Sequence, residues 1–288
     1  CDLNYKWNRE EILAHVHEYD GIVIRSRIKI DKEIIDKATK LKFIARAGAG
    51  MENIDTVYAE QKGIICLHAP EGNKDAVAEH AIGMLLSLFN NLSRANKEVR
   101  EGKWIREGNR GVELMGKTVG IIGYGNMGSA FAQRLKGFGV KVLAYDKYKK
   151  GFGNDFIQEV TMDKIFNEAD VLSLHTPLTE ETRYLINDAF IKNFKKNIYI
   201  INTARGKSLN TADLVTNLQS GKVLGACLDV LEYEMTSFEH LDVSVLPDAF
   251  KYLIQSDSVM LSSHIAGWTH ESNEKIASVL AEKILKLS

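Results

Sequence analysis

The sequence has 288 residues, of which 45% are hydrophobic and 26% are charged. This length favours two domains, since a single core rarely grows beyond about 250 residues, and the composition is typical of a soluble globular protein rather than a disordered one. Lys and Arg number 37 against 38 Asp and Glu. We therefore expect no binding to nucleic acid or to an anionic membrane surface, because there is no overall basic field.

The longest apolar stretch, at 81–89, is about half of the roughly 20 residues that a membrane-spanning helix needs, so it predicts a buried helix. Cys1, Cys66 and Cys227 lack metal-ligand spacing. We expect no metal site and a reducing, cytoplasmic setting. The chain opens on Cys1 without an initiator Met or a signal peptide, so we expect the numbering to start inside the natural polypeptide.

Short β-branched runs alternate with helical patterns from residue 21 onward, which predicts an α/β fold with parallel sheets built from βαβ units. The first strands are predicted at 21–26, 41–47 and 63–68, separated by helices at 31–39 and 55–61. One long helix is predicted at 75–99, and the three prolines, Pro70, Pro177 and Pro247, are assigned to loops. Further strands are predicted at 118–123, 140–146, 170–175, 197–203, 223–230 and 258–263, before an amphipathic helix at 270–287.

A glycine-rich turn follows the apolar strand at 118–122 and precedes a helical pattern. It reads Gly123-Tyr124-Gly125-Asn126-Met127-Gly128. The first glycine permits a tight turn, the second lets the backbone approach a pyrophosphate, and the third lets the helix pack close to the strand. Phosphates bind at the positive end of such a helix. The turn therefore predicts a dinucleotide site.

Asp146 ends the next strand, at the distance expected of the carboxylate that binds the adenosine ribose. This carboxylate predicts NAD rather than NADP. Lys147, Lys149 and Lys150 follow directly, and such a basic cluster would tolerate a 2′-phosphate. We favour a solvated face for the lysines.

Three further signals stand where strands meet their following loops. They are Asn202-Thr203-Ala204-Arg205-Gly206, the acidic run at 229–234, and His264-Ile265-Ala266-Gly267. Loops at the carboxyl ends of parallel strands converge on one crevice, so an Arg, an acid and a His are brought together there. This combination suggests hydride transfer.

With the segments at 46–55, 77–80 and 175–179, these residues closely resemble the D-isomer-specific 2-hydroxyacid dehydrogenases over nearly the whole chain. The resemblance implies two Rossmann-like domains with parallel sheets. A flavodoxin-like, substrate-binding domain would be formed by both chain ends, at 1–74 and 268–288, and a NAD-binding domain would span 75–267. A homodimer is also implied.

The resemblance makes Arg205 the cation that holds the substrate carboxylate and polarises its carbonyl. It makes His264 the acid–base and Glu234 the acid that orients this imidazole. Glu232 is a rival for that acid, but the family's spacing of five residues after Asp229 selects Glu234. The implied cofactor-binding residues outside the glycine turn and Asp146 are His175, Thr176, Pro177, Thr182, Thr203, Ala204, Arg205, Asp229, His264, Ala266 and Gly267. Among them, Asp229 would bind the nicotinamide amide, and residues 175–177 would line the nicotinamide ribose.

The substrate is predicted from the first part of the chain. The loop Gly48-Ala49-Gly50 should expose consecutive N–H groups that suit a carboxylate, although alone it fits a plain tight turn as well. Arg25 and Arg27 share one face of the first predicted strand, and Arg46 ends the neighbouring one. Three clustered cations exceed the need of one carboxylate and suit a phosphate.

The segments around these arginines resemble those of D-3-phosphoglycerate dehydrogenases in particular. We therefore expect oxidation of 3-phospho-D-glycerate to 3-phosphohydroxypyruvate, the entry into serine biosynthesis in that family. Alternatives are a glyoxylate, hydroxypyruvate or other D-2-hydroxyacid reductase, arginines that form only ion pairs, and a NAD-sensing binding module with little turnover.

Some positions depart from the family pattern. Ser263 stands where Pro is frequent, Asn210 where an acid is usual, and Ala76 where Ser is common. No C-terminal regulatory domain follows Ser288 in this sequence, so feedback by serine through such a domain is not expected. His80 is expected to be an ordinary helix residue.

Overall fold

A computed structural model describes residues 2–234 and 246–287 of the chain. They form two compact units, one of residues 2–73 and 268–287 and the other of residues 74–234 and 246–267. The predicted α/β class with parallel sheets is confirmed. Among the described residues, no helix is both long and apolar enough to cross a bilayer, and no three His, Cys, Asp or Glu side chains gather as a metal site requires.

The first unit contains a three-stranded parallel sheet in the order β1-β2-β3. Its elements are α1 (Arg9–His15), β1 (Gly21–Ile24), α2 (Lys32–Lys37), β2 (Phe43–Arg46), α3 (Thr56–Gln61), β3 (Ile65–His68) and α11 (His270–Leu285). Successive side chains of a strand point to opposite faces. Ile44 of β2 accordingly packs in a cluster with Ile34, while Ala45 packs with Ile276 and Leu280 of α11. The sheet is thus covered on both faces.

The second unit contains a seven-stranded parallel sheet in the order β10-β9-β8-β7-β4-β5-β6. Its strands are β4 (Thr118–Ile122), β5 (Lys141–Tyr145), β6 (Ile157–Glu159), β7 (Val171–Leu174), β8 (Ile198–Asn202), β9 (Val223–Leu228) and β10 (Val259–Leu261). Its helices are α4 (Pro70–Phe89), whose residues 70–73 belong to the first unit, α5 (Leu92–Arg100), α6 (Asn126–Arg134), α7 (Met162–Glu168), α8 (Asp188–Lys192), α9 (Thr211–Gln219) and α10 (Asp248–Gln255).

The strand order of the second sheet reverses at β4. From β4 the sheet continues to β5 and β6 on one side, and to β7, β8, β9 and β10 on the other. All residues of β4 and β7 are buried, as expected of parallel strands that are covered on both faces. Ligands of such sheets bind outside the carboxyl ends of the strands at the reversal.

The structure differs from the predicted local structure at residues 75–99, at Pro70 and at β6. The single helix predicted at 75–99 is wrong, because Asn91 has a φ of 52° between α4 and α5 and a left-handed residue does not continue an α-helix. Pro70 lies not in a loop but at the start of α4, where its missing N–H costs no helical hydrogen bond. The strand β6 was not predicted, since three residues are too few to show a period.

Candidate active site

The glycine turn joins β4 to α6, with Gly125 directly before the helix. Gly123 has a φ of 91°, in the left-handed region that favours glycine, and its N–H donates to Tyr145 O at 2.9 Å. A Cβ at Gly128 would lie 1.9 Å from Gly123 O, whereas a Cβ at Gly125 would meet nothing within 4 Å. Gly128 therefore lets the helix approach the strand, and Gly125 leaves open space at the helix start, where N–H groups have no intrahelical partner.

Asp146 follows β5 and accepts three backbone hydrogen bonds. Its Oδ2 accepts from Tyr124 N–H at 2.7 Å, and its Oδ1 accepts from the N–H groups of Tyr148 and Lys149 at 2.9 and 2.8 Å. Partial burial acts to raise the pKa of this carboxyl, but the three donors outweigh burial and hold the pKa below its usual value. Asp146 is therefore ionised at neutral pH and, in its predicted place at the adenosine ribose, would repel a 2′-phosphate.

The loop after β7 contacts the residues that follow Asp146. Glu181 accepts from Lys147 Nζ at 2.6 Å and from the Tyr148 hydroxyl at 3.0 Å. Thr182 Oγ1 donates to Pro177 O at 2.6 Å and closes the loop. Lys147 is thus paired with a carboxylate of the protein.

Buried polar atoms lie where β7 and β8 end. Burial lowers the pKa of His175 to about 3, so its imidazole is neutral, and its Nε2 lies 2.8 Å from Ser173 Oγ. His175 Nδ1, Thr176 Oγ1 and Thr203 Oγ1 are buried and have no hydrogen-bond partner among the described residues. Buried polar atoms rarely stay without a partner. These atoms therefore suit a bound polar molecule.

Arg205 stands in the turn that follows β8. Asn202 is 1% exposed and braces this turn, because its Oδ1 accepts from Ala204 N–H at 3.1 Å and its Nδ2 donates to Arg205 O at 2.9 Å. The partly exposed guanidinium of Arg205 donates through Nη1 to Ala204 O at 2.6 Å. A Cβ at Gly206 would lie 2.0 Å from Leu231 O. The Arg205 turn therefore lies directly against the loop after β9.

A His–Glu pair is formed by the loops after β9 and β10. Glu234 Oε2 lies 2.6 Å from His264 Nδ1, and Glu234 Oε1 accepts from Leu231 N–H. A carboxylate at Nδ1 orients the ring, so the predicted proton exchange with a substrate, which stays a prediction, would fall to Nε2. Glu232 instead accepts from the N–H and the hydroxyl of Thr211 at 2.8 and 2.7 Å. The structure thus pairs His264 with Glu234 and not with Glu232.

Asp229 anchors the loop that carries His264. It accepts from Ser262 Oγ at 2.6 Å, from the N–H groups of Ile265 and Ala266 at 2.9 Å and, through its main-chain oxygen, from His264 N–H at 2.8 Å. Burial acts to raise the pKa of Asp229, but hydrogen bonds from His80, Ser262 and the two N–H groups lower it to about 2. His264 has a φ of 56°, which a non-glycine residue keeps only where its surroundings enforce it. The hydrogen bonds of the Asp229 carboxylate hold His264 in this conformation. The predicted contact of Asp229 with the nicotinamide stays a prediction.

Arg25 and Arg27 of the first unit lie beyond β1, so the prediction that they share one face of a strand is wrong. The reason is Asn53, whose Nδ2 donates to Arg25 O at 2.8 Å and to Ile28 O at 2.9 Å. These two bonds draw the chain into a turn where the strand was expected to continue.

The two arginines have different partners. The Arg25 guanidinium lies 5.1 Å from the ring centroid of Trp268, and its Nη2 donates to Asn273 Oδ1 at 3.1 Å. Arg27 Nη2 donates to two main-chain oxygens, those of Tyr5 at 2.8 Å and Trp7 at 2.7 Å. The Arg27 guanidinium therefore binds the N-terminal segment.

The loop 48–50 follows β2 and contacts Arg46. Gly48 N–H donates to Arg46 O at 2.8 Å, which corrects the prediction that all its N–H groups are exposed to a ligand. Those of Ala49 and Gly50 have no partner among the described residues. Arg46 Nη1 donates to Ala47 O at 2.9 Å and lies 1.5 Å from where a Cβ of Gly48 would be. A side chain at residue 48 would displace this guanidinium from its place over the loop.

Comparison with known proteins identifies the family. The sequence profile of the NAD-binding domain of D-isomer specific 2-hydroxyacid dehydrogenases matches residues 82–266. The chain belongs to this family of dehydrogenases. Within the D-isomer specific 2-hydroxyacid dehydrogenases, it is 38% identical over 278 residues to the hydroxypyruvate reductase of Thermotoga maritima, covering 96% of this chain and 88% of that protein.

Two further relatives extend the comparison. The chain is 38% identical over 283 residues to the D-3-phosphoglycerate dehydrogenase of Archaeoglobus fulgidus, covering 98% of this chain and 52% of that protein. It thus spans about half the length of this relative, as it does of other D-3-phosphoglycerate dehydrogenases. The structure of D-lactate dehydrogenase from Aquifex aeolicus, complexed with NAD and lactic acid, matches with a TM-score of 0.81 at 32% identity, covering 95% of this chain and 84% of that chain.

The cofactor of this 2-hydroxyacid dehydrogenase is NAD, and the second unit has the groups to hold it. The open space at Gly125 suits a pyrophosphate at a helix start. The ionised Asp146 suits the hydroxyls of a ribose. The buried atoms of His175, Thr176 and Thr203 would supply polar partners at the ends of β7 and β8.

Proposed function

We propose that this chain oxidises 3-phospho-D-glycerate to 3-phosphohydroxypyruvate with NAD. The placement of Arg25 is the observation that supports 3-phospho-D-glycerate as the substrate. Ile24 of β1 pairs with Arg46 of β2, so Arg25 and Arg46 leave adjacent strands at the same sheet edge. Trp268 and Asn273 hold the Arg25 guanidinium in one orientation. Two guanidinium groups at one edge suit a phosphate better than a single carboxylate.

The chemistry is proposed for residues of the second unit. Arg205 would hold the substrate carboxylate and polarise its C2 oxygen. In oxidation, His264 Nε2 would take the proton of the C2 hydroxyl, while Glu234 at Nδ1 stabilises the imidazolium that forms. Bound NAD supplies the hydride acceptor. In reduction, the same imidazolium returns the proton to the carbonyl oxygen.

Hydroxypyruvate reduction is the second candidate, because Arg27 is bound to main-chain oxygens and so adds less to a phosphate site than predicted. This chain also covers 88% of the relative named hydroxypyruvate reductase. A homodimer and a cytoplasmic location stay predictions.

Steady-state kinetics with matched substrates tests the proposal. We expect kcat/KM for phosphohydroxypyruvate to exceed that for hydroxypyruvate by about 100-fold or more, because two hydrogen bonds to a charged group contribute about 1.5–3 kcal/mol each. Equal values would contradict phosphoglycerate as the substrate and support the second candidate. NADH binding without turnover of either compound, glyoxylate or pyruvate would support a binding module instead.

Variants make the test specific. Arg25→Gln should lower kcat/KM for phosphohydroxypyruvate by about tenfold or more and leave that for hydroxypyruvate within about twofold. Arg110→Gln is the matched control, since Arg110 is exposed and pairs only with the nearby Glu107 among the described carboxylates. A loss with Arg25→Gln that is equal for both substrates would show that Arg25 does not bind the phosphate.

A further inference from the structure

We propose that His80 is a positioning residue that keeps Asp229, and thereby the loop of His264, in its active arrangement. His80 lies on α4, and its Nε2 is 2.8 Å from Ser262 Oγ and 3.5 Å from Asp229 Oδ1. Ser262 Oγ lies 2.6 Å from the same carboxylate oxygen. Side chains from α4, the end of β9 and the end of β10 thus form one hydrogen-bonded chain.

The direction of these bonds follows from the charge of Asp229. The pKa of Asp229 is about 2, so its carboxylate is ionised and only accepts hydrogen bonds. The Ser262 hydroxyl therefore donates its one proton to Asp229 and must accept from His80. A proton on His80 Nε2 satisfies this requirement in both the neutral and the charged imidazole.

Without His80, the Ser262 hydroxyl can donate its proton to an acceptor other than Asp229. Ser262 Oγ also lies 3.6 Å from Met84 Sδ, a weak acceptor. The hydrogen bond that His80 donates occupies the acceptor side of the Ser262 hydroxyl. The proton of Ser262 is thereby directed to Asp229. Asp229 in turn binds the N–H groups that follow His264. Loss of His80 is therefore expected to loosen the loop whose histidine has a left-handed φ.

The inference rests on the proposed acid–base role of His264, and the experiment separates the two. NADH oxidation is measured with whichever of phosphohydroxypyruvate, hydroxypyruvate and glyoxylate is reduced fastest. His80→Ala and Ser262→Ala should each lower kcat by about tenfold, because a partly buried hydrogen bond to a charged network is lost. KM and the NADH Kd should stay within about threefold. His17→Ala, which removes an exposed histidine of the first unit, should have no effect.

Two further variants distinguish positioning from a general structural role. His80→Gln should regain most of the lost kcat, because its amide N–H can donate to Ser262. The double variant of His80 and Ser262 should be no slower than Ser262→Ala, since both changes break one chain of hydrogen bonds. If His80→Ala does not fold, Ser262→Ala and His80→Gln carry the test.

Several results would overturn the proposal. They are a kcat of His80→Ala within twofold of wild type, a His80→Gln variant as slow as His80→Ala, and losses that multiply in the double variant. A lowered Tm with unchanged kcat also overturns it. His264→Ala is run alongside: if it stays active, the proposed function fails, whereas an inactive His264→Ala with a fully active His80→Ala refutes only the role of His80.

Discussion

The glycine turn offers the sharpest test of the cofactor site, because Gly125 and Gly128 differ in one measurable respect. A Cβ at Gly128 would lie 1.9 Å from Gly123 O, and ordinary contact begins at 3.4 Å. The backbone must therefore move by about 1.5 Å, the difference between these distances. Overpacking of this kind costs about 1–3 kcal/mol. Gly128→Ala should lower the free energy of unfolding by that amount and also weaken NADH binding.

Gly125→Ala should separate binding from folding. The new methyl group meets nothing within 4 Å, and the residue has a φ of −81° that alanine adopts easily. Its free energy of unfolding should stay within about 0.5 kcal/mol of wild type or rise slightly. The methyl group would occupy the space that a pyrophosphate needs. NADH affinity should fall by about tenfold or more, equivalent to about 1.4 kcal/mol.

Urea unfolding and fluorescence titration with NADH measure these two effects separately. Gly83→Ala in α4 is the control, because Gly83 is exposed and its added Cβ also meets nothing within 4 Å. It should leave the NADH Kd unchanged and raise stability by about 0.5–1 kcal/mol through helix propensity. The reasoning is refuted if Gly125→Ala binds NADH within twofold of wild type, or if Gly128→Ala is as stable as the unchanged protein.

Three more predictions concern the loops after β9 and β10. His264→Ala should lower kcat by about 100-fold or more with the NADH Kd nearly unchanged, and near-normal turnover would remove His264 from the mechanism. Glu234→Gln should lower kcat by about tenfold or more, whereas Glu232→Gln should stay within about twofold, because Glu234 contacts His264 and Glu232 instead accepts from Thr211; similar losses in the two variants would contradict this pairing. Asp229→Asn should destabilise the protein at pH 7 by about 2 kcal/mol, since the pKa falls from 3.8 to about 2 on folding. Because its pKa is lowered, the Asp229 carboxyl stabilises the fold fully above about pH 5 and less as the pH falls toward 2. Urea titrations of Asp229→Asn and the wild type should therefore give free energies of unfolding that converge in acid. A difference that stays constant with pH would refute the lowered pKa of Asp229.

The fold class and the glycine turn could be predicted from the sequence because both depend on short-range patterns. Alternating β-branched runs and helical periods identify βαβ units. The spacing of Gly123, Gly125 and Gly128 places each glycine at a defined point between β4 and α6. The break at Asn91 could not be predicted, because residues on both sides favour a helix and only the backbone geometry shows the left-handed residue.

Arg25 and Arg27, the arginines predicted to bind the substrate, show where strand periodicity stops being informative. The alternation of side chains holds only while the strand continues, and Asn53 ends β1 by binding two main-chain oxygens of the next turn. Asn53 is buried and lies nearly 30 positions after Arg25, so the sequence around Arg25 gives no sign that the strand ends there. The same limit applies to Arg27, whose partners are the main-chain oxygens of Tyr5 and Trp7, because main-chain acceptors carry no sequence signature.

In the loop of His264, stability and activity depend on the same contacts, which join residues far apart in the sequence. Asp229 stands out in the sequence only as an acid after a strand, and His80 is 182 positions from Ser262. In the structure, one buried carboxylate binds Ser262 and Ile265 on either side of the strained histidine and is itself oriented from α4. A relaxed φ at His264 would lower the strain energy but turn the imidazole away from Glu234. Substitutions that stabilise this loop by relaxing His264 should therefore lower kcat, because the strained conformation is the one that keeps Nδ1 at the carboxylate.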